Sequence, residues 1–141
     1  MKDRTGFFAV WQPRILSILR VVVAILFMEH GTMKLLGYPP SEMFKGLQLF
    51  SLLGFAGVLA LFGGVLMILG LFTRATAFIL SGEMAVAYFM VHAPHGLFPV
   101  LNQGEVAVLY CFIFLYFATA GGGIWSFDHT LQRSTRTNPH P

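Results

Sequence analysis

The chain has 141 residues, 56% of them hydrophobic and only 11% charged, with a mean hydropathy of +0.72. Water-soluble domains carry about 25% charged residues, so that class is excluded. The net charge of +3 is the balance of nine Lys and Arg against six Asp and Glu, the basic residues being dispersed over helix ends and tails. No basic patch is interleaved with exposed aromatics, which argues against a nucleic-acid partner.

Phe7, Phe8 and Trp11 open the chain as an aromatic belt. The first apolar run, 14–36, is long and lacks a small-residue cleavage site before a polar region, so it reads as a signal anchor. Gly37-Tyr-Pro-Pro40 ends it, and Ser41 is placed to cap a short turn or an early start of the second run. That run, 46–72, has Ala56, Ala60 and Gly64 at four-residue spacing, a pattern that lets helix backbones approach in lipid. Gly70-Leu-Phe-Thr-Arg74 is a short hairpin into a third run, 75–92. The loop from His92 to Gly104 contains Pro94 and Pro99 and is not regular helix. A fourth run, 105–120, ends at Gly121-Gly-Gly123. Runs of this kind match the roughly 17–25 residues a bilayer crossing needs.

The expected fold is therefore all-α: a transmembrane four-helix bundle occupying 1–128, followed by a polar, disordered tail, 129–141. Lys2, Arg4 and Arg14 precede the first run, Arg74 lies between the second and third, and Arg133 and Arg136 follow the fourth. The loop after His92 has no Lys or Arg, so both termini are expected in the cytoplasm, with the chain multi-pass in the inner membrane. The lone Cys111 lies in the fourth run and cannot form an internal disulfide, which excludes the dithiol chemistry of four-helix quinone–thiol oxidoreductases.

Ionisable groups within an apolar span are costly and mark candidate sites. On a helical wheel with Arg20 at zero, Phe27, Gly31 and Lys34 lie within about 40° of it and His30 about 80° away; Glu29 falls near the opposite side. Arg20 is six residues past Arg14, about 9 Å of helix, and Glu83 nine past Arg74, about 13 Å. Similar depth makes Glu83 the expected partner of Arg20, as a structural ion pair ahead of a proton or substrate relay. At the other end, His92, His95, Asn102, Gln103 and Glu105 are expected on the side of His30 and Lys34. Asn102-x-x-Glu105 also fits a capping box opening the fourth helix. Pro94 breaks the spacing of His92 and His95, so no metal site is assigned.

The chain resembles the DoxX family of small four-helix membrane proteins. The resemblance rests on Arg20, Phe27-x-x-His30-Gly31-x-x-Lys34-Leu35, Gly63-Gly64 and Gly70-Leu-Phe-Thr-Arg74. It continues with Asn102-x-Gly104-Glu105 and Gly121-x-Gly123 followed by Trp125-Ser126-x-Asp128. One departure is Ala60, where family members often carry a Glu ahead of the Gly-Gly pair. The resemblance implies a membrane component of a redox system, since the family name comes from a quinol oxidase context and a thiosulfate:quinone oxidoreductase subunit is related.

The expected function is then a membrane subunit or accessory of a quinone-linked system, with a small-ligand pocket near the outer leaflet. His30, Lys34 and Glu105 are its candidate catalytic groups, with Phe27, His92 and Asn102 lining the pocket. A quinone is the candidate cofactor. The bilayer, a redox partner protein and a second copy of the chain are the candidate partners. The alternative is a non-enzymatic carrier of small solutes or lipids, or a scaffold for partner proteins.

Overall fold

A computed structural model describes residues 4–137, which are all-helical with no strand among them. Helix α1 runs Arg4–Leu36, ten residues earlier than the apolar run. The belt residues Phe7, Phe8 and Trp11 are therefore helical and exposed, with the Arg14 guanidinium 5.9 Å from the Trp11 ring. Lys2 lies outside the described residues. The helix stops where Gly37 takes a left-handed conformation (φ 67°), which only glycine adopts without strain.

A 3₁₀ turn, Glu42–Phe44, follows, with Ser41 ahead of it making no side-chain cap. Helix α2 spans Leu52–Leu69. It begins later than expected because Ser51, not Ser41, is the cap, its hydroxyl accepting from the Gly54 N–H at 3.1 Å. Gly70 ends α2 in the left-handed region (φ 68°). Helix α3, Thr73–Ala87, continues into a π turn, Tyr88–His92, and a 3₁₀ turn, Ala93–His95. Pro94 has no N–H for the Met90 carbonyl and its ring would crowd that oxygen, so the chain widens ahead of it. A short helix α4, Pro99–Asn102, leads to α5, Glu105–Ala120. Helix α6 covers Phe127–Thr137. The tail expected to be disordered from 129 is thus helical through Thr137, and 138–141 lie outside the described residues.

Among the described residues, three stretches are long and apolar enough to cross a membrane: Gly6–Leu36, Leu52–Leu69 and Thr73–His95. Helix α5 is apolar and shorter, about 24 Å at 1.5 Å per residue. Large apolar side chains are displayed outward along these helices, with Phe55 60% and Phe112 65% exposed, as lipid-facing surfaces require.

The chain forms two compact units, Met1–Thr73 with Gly122–Pro141, and Arg74–Gly121. In the first, α1 and α2 are antiparallel and closely packed. A Cβ on Gly31 would meet the Leu61 backbone nitrogen at 2.5 Å, and one on Gly64 the Met28 Cβ at 2.8 Å. The buried stripe of α2 is Gly54, Gly57, Ala60, Gly63, Gly64 and Met67. Small residues do serve packing, with Gly57 in the role expected of Ala56, which is only half-buried. In the second unit, α3 and α5 are antiparallel. The Ser81 hydroxyl donates to the Cys111 carbonyl at 2.8 Å, and Arg74 donates to the Ala118 carbonyl at 3.2 Å and to that of Thr119.

Candidate functional site

In the first unit, α1 buries Ser17, Arg20, Val23, Ala24, Phe27 and Gly31 on one face. Arg20 is fully buried, and backbone carbonyls receive its guanidinium. Nε donates to Gly122 O at 2.9 Å, one terminal nitrogen to Ile68 O at 2.8 Å and to Met67 O, and the other to Trp125 O at 2.7 Å. Met67 and Ile68 are in the last turn of α2, where carbonyls lack helical partners and the helix dipole is negative. A planar fork of five N–H donors suits such a cage, and one cation ties three chain segments together.

The segment after Gly121 completes this corner. Asp128 accepts from the backbone N–H groups of Phe72 and Thr73, both at 2.8 Å, and so caps the start of α3. Its own N–H donates to Gly70 O at 3.0 Å. Ser17 Oγ accepts from Trp125 N at 3.1 Å and donates to Pro13 O at 2.9 Å. A Cβ on Gly123 would lie 2.3 Å from Ser17 Oγ, so this position requires glycine. Asp128 and Ser17 received no role from sequence reasoning; the Gly-x-Gly…Trp-Ser-x-Asp spacing that carried the resemblance was the signal for Asp128.

Towards the C-terminal end of α1, Phe27 is buried and His30 lies beside it, ring centroids 6.5 Å apart at 58°. Lys34, one turn on, is half-buried, with Nζ 5.9 Å from the Phe44 ring. Glu29 and His30 are both exposed, so the helix wheel places His30 at the margin of the buried face. Phe27, His30 and Lys34 therefore form one local cluster, which Glu29 flanks.

The second unit holds Glu83, His92, Asn102 and Glu105. Asn102 is buried and saturated. Its amide donates to Gly96 O at 2.7 Å and to Tyr88 Oη at 3.5 Å, and its side-chain oxygen accepts from Gly104 N at 2.8 Å. That is a local turn bond, so the expected capping box is not formed; Gly104, not Asn102, precedes α5 as its cap. The Asn102 carbonyl also accepts from His92 Nδ1 at 3.0 Å. The His92 ring stacks on Tyr88, 6.4 Å between centroids and 23° between planes. Tyr88 is a site residue that sequence reasoning missed, although its i, i+4 spacing from His92 signalled it. Glu105 is exposed in the first turn of α5, and Glu83 is half-buried within α3.

The DoxX family model matches residues 15–93, which takes in Arg20, the Phe27–Lys34 cluster, the glycine stripe of α2, Glu83 and His92. An uncharacterised protein of Haemophilus influenzae is 47% identical over 123 residues, covering 84% of this chain and 92% of that protein. No solved structure matches the chain. With more than half its length matched, and with the membrane-spanning helices that the resemblance implied, the chain belongs to the DoxX family.

Proposed function

We propose that this multi-pass membrane protein is a subunit or accessory of a quinone-linked redox system in the inner membrane. It crosses the bilayer four times, α5 being the fourth crossing, with both termini cytoplasmic and a small-ligand pocket near the outer leaflet. His30 exchanges a hydrogen bond or proton with an oxygen of the ligand head group, and Lys34 stabilises its anionic form. Phe27 packs against the ring, and His92, Asn102 and Glu105 of the second unit are the further candidate groups for a ligand of this chemistry. Electrons pass between the ligand and a partner protein.

The observation that supports this reading is the cluster on α1. A titratable imidazole lies 6.5 Å from a buried aromatic ring, with an ammonium one turn away, at the end of an apolar helix. Such a grouping matches a ligand with an apolar body and an oxygen-bearing head. The test is binding of a short-tailed ubiquinone to the protein in lipid nanodiscs, followed by fluorescence quenching. Saturable binding is expected. His30→Ala or Lys34→Met should weaken it about tenfold or more, the loss of one charge-assisted hydrogen bond, with the melting temperature unchanged. No saturable binding, or equal losses from Glu29→Gln and His30→Ala, would overturn the reading.

A further inference from the structure

The network around Asn102 has a chemical consequence for the histidine attached to it. A backbone carbonyl only accepts, so the contact from His92 Nδ1 to Asn102 O at 3.0 Å places the ring proton on Nδ1. In the neutral imidazole this leaves Nε2 with a lone pair. The groups around it are otherwise committed. The Tyr88 hydroxyl donates to Leu97 O at 3.3 Å and receives one Asn102 amide hydrogen. The second amide hydrogen goes to Gly96 O, and the Asn102 oxygen is taken by Gly104 N. Stacking on Tyr88 sets the plane of the ring, and the π turn places both residues on one side of the chain. Among the described residues, Nε2 is the one polar atom of this network with no internal bond, and it accepts protons rather than donating them.

We propose that His92 Nε2 of the second unit is a hydrogen-bond acceptor for the ligand, with Asn102 and Tyr88 as positioning residues, and that the preferred ligand presents a hydroxyl. The inference rests on the quinone-type reading above and narrows it. A hydroquinone or phenol donates an O–H to Nε2, whereas a quinone carbonyl meets a lone pair with a lone pair and is disfavoured. His95 has the same tautomer, Nδ1 contacting Val91 O at 2.8 Å, but it is exposed and lacks the stacked ring. It does not share the role.

Two measurements on the full chain in nanodiscs separate this inference from the reading beneath it. Nitrogen NMR of ¹⁵N-histidine protein reads the tautomer directly, the His92 signals being assigned by their loss in His92→Asn. A protonated Nδ1 and bare Nε2 are expected, and the opposite tautomer would overturn the proposal whatever the ligand does. Binding is then compared for a short-tailed ubiquinol, its quinone and its dimethyl ether. The ubiquinol should bind about tenfold tighter than either of the others and should shift His92 Nε2. In His92→Asn, the amide still donates to the Asn102 carbonyl but offers no acceptor at the Nε2 position, so folding is retained. That variant should lose the preference for ubiquinol and keep the residual affinity. An undiminished preference in His92→Asn, or equal binding of all three by the unaltered protein, would overturn the inference while leaving a quinone-type site intact. Failure of all three to bind would overturn both.

Discussion

Arg20 donates four hydrogen bonds to backbone carbonyls, and its environment predicts how replacements behave. Leucine there removes the donors to the carbonyls of Ile68, Gly122 and Trp125, while Met67 O keeps the Gly70 N–H. Each buried carbonyl left without a donor costs about 1–3 kcal/mol. Arg20→Leu should sharply lower the yield of monodisperse protein and its melting temperature in detergent. Arg20→Lys, whose single ammonium cannot span the cage, should recover only part of the loss. Asp128→Ala, which removes the carboxylate acceptors of two backbone N–H groups at the start of α3, should destabilise by about 1–2 kcal/mol, as loss of a strong helix cap does.

At the scale of elements, contact between α1 and α2 depends on glycines rather than on interlocking large side chains. Small residues let the backbones meet where lipid offers no hydrophobic drive to associate. Gly31 and Gly82 make a matched pair for testing this, since both are helical. A Cβ at Gly31 would strike the Leu61 backbone, whereas at Gly82 nothing lies within 4 Å. Gly31→Ala should therefore push the helices apart and cost on the order of 1–3 kcal/mol, as overpacking does. Gly82→Ala should stabilise α3 by up to about 1 kcal/mol through its propensity alone. Thermal unfolding followed by circular dichroism distinguishes the two, and matching effects would show that close approach is not what Gly31 provides.

For the whole molecule, the number and direction of crossings define the topology. At 16 residues, α5 is about 24 Å long against a hydrocarbon core of about 30 Å. It can cross if the bilayer thins slightly or flanking residues reach the interface, both modest costs. Reporter fusions at Tyr38 and Pro99 should report an extracytoplasmic location, and fusion after Pro141, a residue outside those described, a cytoplasmic one. A C-terminus on the outer side would mean three crossings, with α5 lying on or within the bundle.

Hydropathy alone was sufficient for the class and for the apolar segments, because burial of apolar length in lipid is a local property of composition. The run 105–120 coincides with α5 to the residue. Where a cap decides a boundary, the run misled. Helix α2 waits for Ser51, and α1 starts well before Arg14, running through Pro13. The charged and aromatic identities of the candidate cluster, Phe27, His30 and Lys34, could be read from spacing on one helix. Partners in backbone carbonyls could not, since which oxygens a helix end leaves free depends on where the turn after it folds back. That is why Arg20 prompted a search for a carboxylate when its own unit supplies four carbonyls. For the same reason, the tautomer of His92 could not be read from its neighbours in sequence. It depends on the Asn102 carbonyl, brought to it by a widened turn, a proline and a short helix that close one loop.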